Sequence, residues 1–500
     1  MSARDSIINL SYKGWIMVDY LNQGYIVENK WIQKISNFLY TDYYFLTLIS
    51  LIFICWLTNA FLVGLAIIVL LACAILIIQR DVTPIIPILL MGVAVISQPK
   101  VPDNLGVIIV CYLTPVLASI IFHFYWYRTT EFKFGKMSFS MILVFIACLL
   151  GGVGSRLPKD GSKTIIAAFL IGMVPLIFYL LIINLSKMPE DKNILEFMAN
   201  ALIYFGVLVT IQMGTFYFKN WDAMFRTQGG IIPHLGWGIS NTVANLLLIV
   251  IPFGFYLFYS MNNWKQYVYV VLSTIVLGCI CATTSRGGTI FAMLEFFVCI
   301  LITLIKSDRK KRIRFLYIAI GYAVLMGLAI ALGLSKLKTA WDLIFHDGMA
   351  DSGRLELYRE AIGCFFEYPV FGTGLTYRGA FDMYDDTGMY LFHNVILQIA
   401  ASMGFVGIAC FVYYYFRLFQ TIFEEMNFFG YMVIAMLIGF YGYNMLNTGG
   451  TTGYPHLAYV AFIVAVYELY TKQGQSQIYS RIKLKTIKYK KEHLGGENGR

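Results

Sequence analysis

The chain has 500 residues, of which 59% are hydrophobic and only 13% charged, against about 25% charged in an ordinary soluble domain. Apolar runs approaching the roughly 20 residues that cross a bilayer recur from Tyr43 to Tyr470, which excludes a water-soluble fold. The formal charge of +10 is not a nucleic-acid signature, because the cations collect in a few connections between apolar runs.

In chain order, residues 1–42 are mixed polar and lack a small-residue cleavage site, so no secretory signal is expected there. Trp15, Ile16, Tyr20, Trp31 and Ile32 among charges suggest helices lying on a membrane interface. Hydropathy then predicts about 14 spans, with 12–14 as the range, in an all-α polytopic fold. Their extents are 43–57, 60–78, 84–97, 105–127, 137–153, 164–186, 194–217, 241–260, 267–284, 288–306, 314–333, 394–416, 428–446 and 457–470. The organisation that follows is an interfacial segment 1–42, a bundle of about 11 helices over 43–333, an extracytoplasmic loop 334–393, further spans over 394–470 and a basic tail 471–500.

Orientation follows from the cations. Lys306, Arg309, Lys310, Lys311, Arg312 and Arg314 crowd one connection, and Arg128, Lys133 and Lys136 another. The tail adds Arg481, Lys483, Lys485, Lys488, Lys490 and Lys491. The positive-inside rule puts all three, and both termini, in the cytoplasm. Of the nine cysteines only Cys364 lies clearly outside a span, which argues against a disulfide framework.

The segment from about Ser335 to Phe392 is far longer than other connections and rich in aromatics, so it reads as a structured loop. Leu355, Tyr358, Ile362, Phe365 and Phe366 recur at helical spacing, with Asp351 or Ser352 as cap and Pro369 as terminator. A second outer loop, about Lys219 to Ser240, carries Trp221, Arg226, His234 and Trp237.

Candidate chemistry gathers on that outer side. Arg286 sits in Ser285-Arg286-Gly287-Gly288 at a span boundary, where a lone arginine anchors or, in a glycine-permitted break, grips a phosphate bidentately. Arg354 lies in the first turn of the predicted loop helix, where unpaired N–H groups favour an anion; a salt bridge to Asp351 or Glu360 is the structural alternative. His393, with Asn394, stands where the loop re-enters the membrane; the positive helix start keeps an imidazole neutral and able to take a proton. His234, His346 and His456 read as structural, with no carboxylate at zinc-ligand spacing. Asp382, Asp385 and Asp386 could hold a divalent cation, but such a run beside Gly388 is more often a solvated turn.

The ordered set of Ser285-Arg286-Gly287-Gly288, Ser352-Gly353-Arg354, Pro369, Gly372 and Gly374, His393-Asn394, and Gly404 with Gly407 resembles the O-antigen ligase and polymerase family of bacterial membrane glycosyltransferases. The resemblance spans about the last half of the chain. It implies a GT-C-like multi-pass enzyme of the bacterial plasma (inner) membrane, with its active site on the extracytoplasmic face. The implied reaction is metal- and cofactor-independent, inverting transfer of glycan from a polyprenyl-diphosphate-linked donor to a glycan acceptor. The family's two essential arginines fall on Arg286 and Arg354, its essential histidine on His393, and Asn394 and Arg226 become substrate-binding candidates. The implied partners are donor, acceptor, membrane lipids and other polysaccharide-assembly membrane proteins.

A polymerase joining lipid-linked repeats into O-antigen, capsule or exopolysaccharide is the preferred reading, favoured by the abundance of Ile, Lys, Tyr and Phe; a ligase delivering finished glycan is the alternative. A lipid-linked oligosaccharide flippase would instead carry charges near the bilayer midplane and repeated halves. Only Glu295 stands out as a carboxylate inside a span, and no repeat is visible.

Overall fold

The computed structural model describes residues 30–95, 105–127, 132–187, 192–220, 232–331, 353–381, 389–447 and 456–472. The helices are α1 (Lys30–Phe38), α2 (Asp42–Leu57), α3 (Phe61–Ile78), α4 (Ile85–Val95), α5 (Leu105–Trp126), α6 (Ser138–Leu150), α7 (Gly161–Leu185) and α8 (Ile194–Lys219). They continue as α9 (Ser240–Ser260), α10 (Lys265–Ala282), α11 (Arg286–Lys306), α12 (Arg309–Ala331), α13 (Arg354–Glu367), α14 (Val395–Phe423), α15 (Phe428–Asn444) and α16 (456–472). Among the described residues there is no strand, only the isolated bridges Lys159–Tyr377 and His234–Ile239.

Every predicted apolar segment falls on a helix. A helix satisfies its backbone groups internally, which an apolar solvent demands. Length is more selective than hydropathy. Among the described residues, seven helices (α3, α7, α8, α9, α10, α11 and α14) are long and apolar enough to cross a membrane, or eight if α1 and α2, bent by 73°, form one broken span. α4, α6 and α15 are apolar but shorter, so length and composition do not carry the predicted count of about 14.

Helix starts carry their own punctuation. Asp160, Asn193, Ser285, Asn394 and Asn427 each accept backbone N–H groups of the turn that follows, filling donors that helix geometry leaves unpaired. α9 forms the centre, with 89% of its apolar window buried; α11 has only 33%. The exposed face of α11 is an apolar stripe of Ile290, Met293, Leu294, Phe297, Leu301 and Ile305, the surface expected of a helix facing hydrocarbon.

α11 packs antiparallel to α15, and α14 lies against α6 and the loop helix α13. At one end of the bundle the basic connections converge. Lys136 pairs with Glu424, its backbone N–H donates to Glu468, and Lys472 pairs with the same Glu468. Lys306 stands over the Tyr431 ring at 4.4 Å. The opposite ends of α11 and α14 carry Arg286 and His393.

Candidate active site

At the start of α11 the chain reverses through Thr284, which holds φ +60°. Ser285 follows as the cap, accepting from the Gly288 N–H at 3.4 Å. Its hydroxyl also lies 2.9 Å from Asn241 Oδ1 and 2.9 Å from the Tyr443 hydroxyl, which itself donates to Asn241 at 3.1 Å. Three helices are thereby joined at the residue before Arg286. Gly287 and Gly288 do not make the break themselves, because both lie within α11. A Cβ on Gly287 would come within 3.0 Å of the Tyr443 ring, and one on Gly288 within 2.8 Å of Ala244. The two glycines serve close approach to α15 and α9.

His393 is the second strained point, at φ +52°. Among the described residues only Asn59, Thr284 and His393 combine a side chain with positive φ. Two of the three therefore flank the sequence motifs, and such strain persists only where the surroundings impose it. The imposing contacts are visible. Asn394 accepts from the N–H groups of Ile396 and Leu397, both at 3.0 Å, while its amide donates to the Met445 carbonyl at 2.9 Å. From the loop helix, Tyr358 donates to the His393 carbonyl at 3.2 Å.

The His393 ring is largely enclosed. Its Nδ1 is buried and has no hydrogen-bond partner among the described residues, while the Asn447 side chain hydrogen-bonds the ring. Burial first, and then the nearby Arg354 charge, hold its pKa below the ordinary histidine value; the Asn447 bond acts in the opposite direction. The lowered pKa favours the neutral imidazole, and a neutral ring with an unpartnered nitrogen is the form in which a histidine takes a proton.

Arg354 is delivered by α13, which begins after Gly353 at φ +76°. The helix expected from the spacing of Leu355, Tyr358, Ile362, Phe365 and Phe366 is present. Leu357, Ala361 and Cys364 are buried against Tyr390, Phe392 and Ala401, whereas Leu355, Ile362 and Phe366 are exposed. Asp351 and Ser352, the expected caps, lie outside the described residues. Six residues at 3.6 per turn place Glu360 on a different face from Arg354. Glu360 instead receives the Tyr377 hydroxyl, the Ala380 N–H and the Tyr390 hydroxyl at 2.7–3.2 Å, fastening the returning loop. Burial pushes the Cys364 thiol up to about 11, so it is no nucleophile at neutral pH.

Behind α13 the chain passes Pro369 and docks against a break in α14 at Gly404, which has φ +60°. Phe405 and Val406 donate to the Pro369 and Val370 carbonyls at 2.8 and 3.2 Å, and Thr373 and Gly374 donate to the Ala401 and Ser402 carbonyls at 2.8 and 3.0 Å. Side chains at Gly372 or Gly404 would overlap this facing backbone. The glycines of the sequence pattern thus form a joint that fixes the loop on α14.

The fold brings Arg354, His393 and Asn394 together, and links them to Ser285 and Arg286 through Tyr443. Arg354's charge acts on both His393 and Tyr443. Arg226 and Asp382, Asp385 and Asp386 lie outside the described residues, as does His346. His234 is exposed and accepts from the Gly236 N–H within its own turn, and buried His456 approaches the Thr242 carbonyl at 3.4 Å.

Sequence reading missed Tyr443, Asn447, Asn241 and Tyr358. A signal existed for the first two: Tyr443, Asn444 and Asn447 interrupt the end of an apolar run, where polar groups need a reason.

No curated protein matches the chain. A family model described as O-antigen ligase matches residues 270–412, a stretch that contains Arg286, Arg354, His393 and Asn394 and stops before Tyr443 and Asn447. Residues 270–412 are thus similar to the O-antigen ligase domain, and the resemblance to the O-antigen ligase and polymerase family read from the ordered motifs is borne out.

Proposed function

We propose that this protein polymerises polyprenyl-diphosphate-linked oligosaccharide repeats into a surface polysaccharide, using His393 as base and Arg286 and Arg354 as the cationic grip on the diphosphate. The observation that carries the reading is the enclosed His393 ring, its Nδ1 unpartnered among the described residues and its pKa lowered by burial and the Arg354 charge. A sugar hydroxyl bound there gives its proton to His393 as its oxygen attacks the donor's anomeric carbon. The bond from that carbon to the diphosphate breaks, and the lipid diphosphate leaves with the electron pair. The arginines stabilise the growing negative charge without a metal ion, and a single displacement inverts the anomeric centre. Asn394 shapes the acceptor side of the site, and Arg226 adds a further cation for the substrate.

The converged basic connections support the placement of the site. With that end in the cytoplasm under the positive-inside rule, the site opens on the extracytoplasmic face of the plasma membrane. The shorter apolar helices then complete a set of about 14 crossings.

A ligase that passes a finished glycan to another acceptor shares the same donor chemistry, and the description of the matched family favours it as the second reading. Glycan analysis of cells lacking the gene, complemented with wild type or His393→Ala, separates the two. Single lipid-linked repeats accumulating in the null and the variant mean a polymerase, and long lipid-linked chains that never reach an acceptor mean a ligase. Wild-type glycans from His393→Ala would remove His393 as the base.

A further inference from the structure

We propose that Asn447 is the positioning residue for His393, holding the imidazole by Nε2–H so that Nδ1 faces the acceptor hydroxyl, and that it ties this base to the Arg286 motif through Tyr443 and Ser285. The proposal rests on His393 being the base and extends it to residues beyond the matched domain.

The argument begins with hydrogen-bond arithmetic. A neutral imidazole has one N–H and one lone-pair nitrogen, and the partner of one fixes the role of the other. Nδ1 is buried and has no partner among the described residues, so the Asn447 bond falls on Nε2. A carboxamide offers an oxygen that accepts and an NH2 that donates. The bond favours the protonated ring, so the oxygen faces the imidazole. The NH2 is left for the Tyr443 hydroxyl, which also hydrogen-bonds Asn447.

From Tyr443 the chain of bonds runs on. Its hydroxyl lies 2.9 Å from Ser285 and donates to Asn241 at 3.1 Å. Ser285 caps the helix whose first residue is Arg286. One connected network therefore spans the two motifs, which stand more than a hundred residues apart in the chain. A group held this way resembles the third member of a nucleophile–base–orienter set, which acts by fixing tautomer and direction. The tight fit of the Tyr443 ring against Gly287 keeps the relay in place from the other side. Among the described residues, the charged or titratable groups acting on His393 are Arg354 and Tyr358 from α13, and Tyr443 from α15 reaches it only through Asn447.

The test uses the full-length protein in membranes, with the isosteric variant Asn447→Asp beside Asn447→Leu. Two readouts are followed against pH: transfer from a polyprenyl-diphosphate-linked repeat, and carbethoxylation of His393 by diethylpyrocarbonate, read by mass spectrometry of its peptide. The second requires no activity. In Asn447→Asp the carboxylate favours imidazolium, so the acid limb of kcat and the carbethoxylation midpoint both move to higher pH. In Asn447→Leu both move to lower pH, and kcat falls by about 100-fold, the lower end of a general base's contribution, with donor KM little changed. Equal losses in both variants with no displacement of either pH profile would make Asn447 merely structural and overturn the proposal. A wild-type protein that transfers no glycan, yet shows the carbethoxylation shifts, would instead overturn the proposed reaction and leave the positioning role standing.

Discussion

The two ends of the bundle handle charge in opposite ways. At the basic end, cations are matched with carboxylates and rings. Glu468, fully buried, takes the Tyr179 hydroxyl, the Lys136 N–H and the Lys472 ammonium, and Glu424 takes the Lys136 side chain. At the site end, the groups gathered around His393 and Ser285 are hydroxyls and amides: Tyr358, Asn447, Tyr443 and Asn241. Such partners orient a side chain without adding negative charge. An ion-paired end holds the helices together, whereas a frame of hydroxyls and amides orients His393 and Ser285.

The comparison breaks first at the arginines. Arg286→Lys and Arg354→Lys should each lower kcat by about 100-fold or more, because an ammonium does not reproduce a planar fork on a developing oxyanion. Turnover of a lipid-linked repeat in membranes with matched protein levels measures this, and full activity in Arg286→Lys would make that residue an anchor.

At the other end the same kind of change should cost stability and spare chemistry. Glu468→Ala leaves the Tyr179 hydroxyl and the Lys136 N–H without their buried acceptor and the half-exposed Lys472 without its partner, at a cost of about 3 kcal/mol. A thermal melt in detergent should fall while kcat of the folded fraction stays near wild type. A large kcat loss without a lower melting point would contradict the division between the ends.

A smaller effect tests the electrostatics of His393. Burial and Arg354 both disfavour imidazolium, so the folded pKa lies below the ordinary histidine value of 6.5. The neutral ring is favoured by folding above that value, and its stabilising contribution is lost as pH falls through the lowered folded pKa. Activity therefore persists below 6.5 before its acid limb appears. Removing the cation in Arg354→Gln should move that limb of the residual activity to higher pH, and an unmoved limb would separate the two residues. Smallest of all, Lys306→Gln removes one ammonium from the Tyr431 ring and should change stability by about 0.5 kcal/mol, measurable as a slight drop in melting temperature.

Much of the molecule was legible in the chain. Each apolar segment is helical, because hydropathy and the cost of unpaired backbone in hydrocarbon leave little else. α13 ends at Glu367, just before Pro369, as a missing N–H and ring clash require. Which face of α13 is buried was not legible, since 357–361–364 and 355–362–366 are both apolar enough and only the neighbours α14 and Tyr390 select between them. Hydropathy accepts runs such as α6 and α15 that the length criterion leaves out, so among the described residues seven or eight of the expected spans meet both.

The site divides along the same line. Arginine and histidine at helix starts suggest candidate chemistry locally, through charge, protonation range and unpaired N–H groups, and the resemblance of the ordered motifs singled out Arg286, Arg354 and His393 as candidates. Which ring nitrogen of His393 stays open, and that Tyr443 and Asn447 join it to Ser285, depends on contacts between helices distant in sequence. Local composition determines what each segment is; the tertiary structure decided which segments meet, because side-chain hydrogen bonds act over about 3 Å and leave no mark in the residues between them.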